Sequence, residues 1–489
     1  MTENPIKRLF KNLFSLLSVR SFDYAYTFLV MIILARYFGL QLYGDYIFVV
    51  SLVFIYLPFI NFGIHPLMVR ELAVLKKEGA DLFGAGLTLR LILATLALAG
   101  TAAILPFLSM SRQLALALII CLTGEICLLG VRICAEVFTA LERMHFENYL
   151  GVANRGVCLI LLLLIRYLDL GFLAVFAALA TVNLITLAAG LIIVRRNFLR
   201  VHLVWRRQLL WFWLKEAFPI ALSFMTMESF LRVDVLMLRV FRDPAEIAFF
   251  DVSYKIIYRL ISILSTVAIV LSPVMARLAE TDMNRLKSLL EQCLKYLFIL
   301  AIPLTAAAHI LGPQLIVPLF GANFKPAELS MSILSLCLFF AFLEPFLVAT
   351  LISIKKTWVV PISNGIALGI NLLLNLLLIP PYGFLGACYA NIGAYAFMFV
   401  LSLILSHYYL GGFSLRRVTE GVLPIGLGVV ALSLLYHSVA LKINFPSFFL
   451  AFLVVLALLA VYVMLIFLTK VLNWEEFASF KEAIKQREG

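Results

Sequence analysis

The sequence predicts an all-α polytopic membrane protein of about 14 transmembrane helices. Two six-helix lobes, related by a pseudo-two-fold axis along the membrane normal, are followed by two extra C-terminal helices. Three observations predict this. The 489 residues are 64% hydrophobic and 13% charged, whereas a soluble domain is about 45–50% apolar and about 25% charged. Apolar runs near 20 residues, the length that crosses a hydrocarbon core as helix, recur from end to end. Short sequence signatures also recur in the same order in the two halves.

The spans lie at roughly 15–38, 43–64, 82–108, 114–140, 149–168, 171–194, 212–240, 248–275, 290–312, 329–353, 359–379, 383–406, 418–440 and 446–469. The connections justify them in order. Lys7, Arg8 and Lys11 precede span one. Alternate connections are basic: Arg70, Lys76 and Lys77 after span two, Arg143 after span four, and Arg195, Arg196, Arg200, Arg206 and Arg207 after span six. Arg277, Arg285 and Lys287 follow span eight, Lys355 and Lys356 span ten, and Arg416 and Arg417 span twelve. With the N-terminus inside, 25 of the 39 Lys and Arg residues fall on the cytoplasmic side and six outside. That asymmetry expects a cytoplasmic (inner) membrane protein with both termini cytoplasmic. The N-terminal segment reads as an uncleaved first helix. The connection "RRNFLRVHLVWRRQLLWFW" mixes cations with Trp205, Trp211 and Trp213, the composition of an interfacial segment on an anionic leaflet or of a plain positive-inside anchor.

Several function classes are excluded or disfavoured. The net charge of +12 is explained by the positive-inside rule, so no nucleic-acid partner is expected. The seven cysteines lie in apolar runs without metal-type spacing, and the six histidines are scattered, so no metal and no cofactor is expected. There is no Walker-type loop and no carboxylate dyad in a polar loop, so the chain is not expected to be an enzyme.

The halves repeat. "PLMVREL" from Pro66 matches "PVMARLA" from Pro273; "GFLAVFAA" from Gly171 matches "GFLGACYA" from Gly383. "LARYFGLQLYGDY" (34–46) corresponds to "MLRVFRDPAEIAFFD" (237–251). Six spans per repeat is even, so both lobes have the same orientation. The expected domains are an N-lobe (1–200), a C-lobe (201–410) and a C-terminal pair of spans with a tail (411–489). Paired lobes with a cavity at their interface are the usual architecture of alternating access.

Intramembrane charges are the candidate functional residues, because an isolated cation at the bilayer centre costs about 2.5–3.5 kcal/mol on insertion scales. Lys255 and Arg259 share one face of span eight with Asp251 and Ser262, roughly 10 and 16 Å deep. Span seven holds Glu228 and Arg232 at i, i+4. Span four holds Glu125, Arg132 and Glu136 on one face, and span one holds Arg20 and Asp23 near the inner surface. Arg90 in span three and Glu344 in span ten complete the set. Lys255, Arg259, Arg232, Arg132, Arg20 and Arg90 are candidates for binding an anionic substrate. Asp23, Glu125, Glu228 and Glu344 are candidates for coupling. The alternative is that these charges pair with one another and staple the bundle. Phe249, Phe250, Tyr254 and Tyr258 would suit sugar rings.

"LARYFGLQLYGDYIFVVSLVFIYLPFINFGIHPLMVREL" resembles the opening of the polysaccharide biosynthesis / O-antigen translocase family, part of the multidrug/oligosaccharidyl-lipid/polysaccharide exporter superfamily. "RVDVLMLRVF…AFFDVSYKIIYRL" resembles the start of its second lobe, and "ILGPQLIVPLFGANFKPA" with "NGIALGINLLLNLLLIPPYGFLGACYA" its spans nine to twelve. The chain departs from the pattern at Ala248, where the family usually has glycine, and many members stop at twelve spans. The resemblance implies a flippase for a polyprenyl-diphosphate-linked oligosaccharide, moved from the cytoplasmic to the outer leaflet for cell-surface polysaccharide synthesis. Its partners would be that glycan, membrane lipids and polymerase or ligase machinery. The alternatives are an H⁺- or Na⁺-coupled drug or metabolite exporter of the same superfamily, and a membrane glycosyltransferase or polymerase.

Overall fold

The computed structural model describes the backbone of residues 5–75, 79–107, 110–198, 202–419, 426 and 448–468, and the side chains of that set between Asp23 and Ile466 other than those of 264, 417 and 448–450. The described residues are helical almost throughout. The helices are α1 (Pro5–Asn61), α2 (Ile64–Leu75), α3 (Ala80–Ile104), α4 (Arg112–Ala140), α5 (His145–Leu168), α6 (Phe172–Asn197) and α7 (Arg207–Phe241). They continue with α8 (Pro244–Thr281), α9 (Met283–Phe320), α10 (Ala327–Ser335), α11 (Cys337–Ser353), α12 (Val359–Tyr382), α13 (Phe384–Tyr409), α14 (Leu415–Thr419) and α15 (Phe448–Leu468).

Ten helices among the described residues are long and apolar enough to cross a membrane, so the chain is a multi-pass helical membrane protein. The expected count of fourteen maps onto these helices unevenly. Spans one and two run together in α1, which breaks only at Gly39 (φ 65°, ψ −170°). Span ten is divided between α10 and α11. Span thirteen lies almost wholly outside the described residues. Span seven is α7, which is 35 residues long yet not among the ten: Lys215, Glu216, Glu228, Arg232, Asp234 and Arg239 dilute its apolar character.

The repeat is visible in local geometry. Gly171 (φ 85°) opens α6 and Gly383 (φ 58°) opens α13, both in the left-handed region that glycine enters without a Cβ penalty. The Pro66 and Pro273 motifs differ. The chain breaks before the first at Phe62 and Gly63 (φ 50° and 66°), whereas α8 runs straight through the second.

The chain forms two compact units. One comprises residues 29–247. In it α4 packs along α6, where Gly124 meets the Ala180 backbone so closely that a Cβ would lie 2.9 Å from its Cα. Asn183 ties the same crossing by donating to the Gly124 carbonyl at 3.1 Å. Trp213 is fully buried and its Nε1 donates to the Leu82 carbonyl at 3.1 Å, fixing α7 on α3. At the other end of α7, Arg239 pairs with Asp45 at 2.9 Å. The second unit comprises residues 1–28 and 248–489. Its core joins α8, α9, α11, α13 and α15 through residues such as Met275, Leu290, Phe346, Phe399 and Tyr462.

Candidate functional site

Two polar clusters stand inside the membrane helices, one in each unit. In the unit of residues 248–489 the cluster is built on α8. Asp251, Lys255, Arg259 and Ser262 lie about one turn apart, so the helical repeat alone aligns them. Lys255 Nζ is 2.9 Å from Asp251 Oδ2, and that carboxylate is almost fully buried. Lys255 is therefore neutralised from its own helix. Arg259 has no ion pair among the described residues. Its guanidinium lies over the Tyr24 ring, 5.2 Å from the centroid, and the Tyr24 hydroxyl is 2.8 Å from Ser262 Oγ. The first 28 residues of the chain thus complete a site whose other members come from α8. Asp23, beside Tyr24, is partly exposed. Arg20 is helical, but its side chain lies outside the described residues. Of the expected sugar platforms, Phe250 and Tyr254 are buried and stacked on each other at 5.2 Å. Tyr258 continues the ladder at 6.0 Å and stays partly open.

In the other unit the span-four trio divides. Glu136 is buried and takes both terminal nitrogens of Arg90, at 2.9 Å (Nη1 to Oε2) and 2.6 Å (Nη2 to Oε1). His65 Nδ1 lies 3.1 Å from the same carboxylate. Arg90 is 2% exposed. Its fork is filled by a bidentate partner, and it has no open face for a headgroup. Glu125 and Arg132 instead join the α7 pair. Arg232 Nε is 3.9 Å from Glu228 Oε2, and its guanidinium caps the Phe54 ring at 4.7 Å. Arg132 and Arg232 both act electrostatically on Glu125 and on Glu228. Arg132 is the exposed member. Two arginines and two carboxylates on α4 and α7 make a charge-balanced cluster, with the Arg132 side chain its exposed edge.

Glu344 stands alone on α11, followed by Pro345, in a helix otherwise free of charge. No hydrogen bond or ion pair reaches its carboxylate among the described residues. Sequence reasoning located every charge in these clusters. It missed Tyr24 and His65, because their partners lie 238 and 71 positions away and no local spacing reports such pairings.

A family model described as polysaccharide biosynthesis protein matches residues 9–279, and one described as MatE matches residues 219–377. No curated protein matches the sequence. Among solved structures the fold is similar to the lipid II flippase MurJ in an inward closed conformation, at 15% identity and TM-score 0.71, covering 94% of this chain and all of that one. It is similar to a multidrug resistance MATE family transporter in an inward-facing conformation, at 16% identity and TM-score 0.64, covering 79% and 94% of the two chains. A transporter of the same superfamily from Pyrococcus furiosus matches at 15% identity and TM-score 0.54, covering 84% and 97%. At these identities the likeness is one of fold.

Proposed function

The chain belongs to the polysaccharide biosynthesis protein family, of transporters and not enzymes, and from that premise we propose that it flips a polyprenyl-diphosphate-linked oligosaccharide across the cytoplasmic membrane by alternating access. The observation that carries this reading is Arg259. It is an intramembrane guanidinium with an aromatic ring beneath it and no carboxylate partner among the described residues. Such a group is expensive in hydrocarbon and calls for water and an anion. A diphosphate meets that need, because guanidinium binds phosphate oxygens bidentately. Lys255, already paired with Asp251, supports the local field and is the weaker contact. Arg132 on α4, the exposed member of the balanced α4/α7 cluster, is a second contact that suits an acidic or phosphorylated part of the same load. Arg90 is assigned a structural role. The product would feed a polymerase or ligase that builds a surface polysaccharide.

The test uses cells with the gene deleted, then restored as wild type or as Lys255→Ala/Arg259→Ala. Lipid-linked sugars are extracted and their membrane face is probed. Accumulation on the cytoplasmic face in the deletion and in the double variant, with the variant protein present in the membrane, supports a flippase that grips its load through α8. Normal lipid-linked sugars in the deletion would overturn the substrate class.

The MatE match over residues 219–377 favours one second reading, a cation-coupled exporter of small solutes. It predicts altered tolerance to exported compounds in the deletion and an undisturbed lipid-linked sugar pool.

A further inference from the structure

Residues 202–206, between α6 and α7, form an extended strap laid along the start of α3. Its register is fixed. The His202 carbonyl arrives where Gly84 has no side chain, and a Cβ there would collide with it. The Val204 N–H donates to Thr88 Oγ1 at 3.1 Å, and its side chain is buried. Asp81 pairs with His202 Nε2 at 3.0 Å and with Arg206 Nη1 at 2.9 Å. With Val204 facing in, extended geometry turns its neighbours outward: Leu203 is 61% and Trp205 76% exposed. The same division continues on α7. Trp213 is buried, while Arg207, Trp211, Lys215, Phe218 and Leu222 are all exposed along one side.

The cations flanking this apolar side are unclaimed. Arg195 and Arg196 end α6, directly after buried Val194, and both are exposed. Neither they nor Arg207 and Lys215 have an acidic partner among the described residues. Val194, Val204 and Trp213 share one hydrophobic cluster, so the cations stand around a rigid floor. Exposed indole rings beside unpaired arginines match a headgroup layer carrying negative charge: the rings sit at the apolar boundary and the guanidinium groups meet phosphate.

We propose that this face is a binding surface for anionic phospholipid, with Arg195, Arg196 and Arg207 holding headgroups and Trp205 and Trp211 seated at the headgroup–acyl boundary. A mere anchor would have the rings at the boundary with no choice among lipids. This surface selects by charge and is independent of what the protein transports. Each cation contributes about a fivefold preference for the anionic lipid.

The experiment is tryptophan quenching in vesicles of equal phosphatidylglycerol and phosphatidylcholine, with brominated chains on only one lipid at a time. The Trp205→Phe/Trp211→Phe protein isolates the signal of these two rings by difference. Brominated phosphatidylglycerol should quench that signal several-fold more than brominated phosphatidylcholine. Arg195→Gln/Arg196→Gln/Arg207→Gln should abolish the difference while leaving the quenching itself. Equal quenching of the difference signal by both lipids overturns the proposal, as does no quenching of it, with the circular dichroism of the Trp205→Phe/Trp211→Phe protein matching the wild type as the check that the difference is sound.

Discussion

Arg259 and Lys255 are four residues apart and look equivalent in sequence, yet their surroundings differ. Lys255 is held by Asp251 and Arg259 is not. A charge-assisted hydrogen bond to a load is worth about 1.5–3 kcal/mol. Arg259→Ala should therefore reduce flipping about 10–100-fold, and Lys255→Ala clearly less, as measured by sidedness of the lipid-linked sugar. Equal losses would remove the distinction between them. Arg90 belongs to another class of charge. Its pairing with Glu136 is buried on both sides, and removing one partner strands the other at about 3–5 kcal/mol. Arg90→Ala should sharply lower the melting temperature in detergent, while Arg90→Met/Glu136→Leu should recover most of it. A stable, inactive Arg90→Ala protein would instead return Arg90 to the substrate path. The sequence showed that these charges exist and which share a helix face. It did not show which were already satisfied, because Arg90 and Glu136 come from different helices, 46 residues apart.

At the scale of elements, the crossing of α4 and α6 rests on absent side chains. Gly124 abuts the Ala180 backbone, and Gly130 and Gly190 meet Leu187 and Cys134. Small residues at membrane helix crossings allow the backbones to approach. Gly124→Val should overpack the crossing by about 1–3 kcal/mol, read as a lower melting temperature and a lower membrane yield. Gly100 is the matched control. It lies near the C-terminal end of α3, and a Cβ added there would meet nothing within 4 Å, so Gly100→Ala should be neutral or stabilising by up to about 1 kcal/mol. A loss at Gly100 equal to that at Gly124 would count against close approach as the cause, since helix propensity favours both substitutions. The apolar runs made the helices legible in order. They did not reveal that spans one and two meet at a single kinked residue, Gly39 (φ 65°, ψ −170°), since an apolar run carries no signal for so short a break. Nor did the charges of α7 read as the diluted helix that they make.

At the scale of the molecule, the recurring signatures were legible in the sequence, and of these Gly171 and Gly383 both take a positive φ at a helix start while the Pro66 and Pro273 motifs take different local structures. The compact units follow contacts rather than repeats, since residues 1–28 join 248–489 while α7 joins the unit of residues 29–247. Glu344 is where energy coupling is best tested, because a carboxylate without a partner in a membrane helix is suited to exchanging a proton or taking a cation. Glu344→Gln should leave binding of the lipid-linked load in place and abolish its response to an imposed ion gradient in vesicles. An unchanged gradient response would move coupling to Asp23, Glu125 or Glu228.

The membership of residues 1–28 also dictates an order of assembly. Tyr24 leaves the ribosome 238 residues before Ser262. At about 5–20 residues per second the first helix waits roughly 12–48 s for its partner to be synthesised. The unit of residues 29–247 can pack in that interval, so a segment made before that unit finds its place only after it.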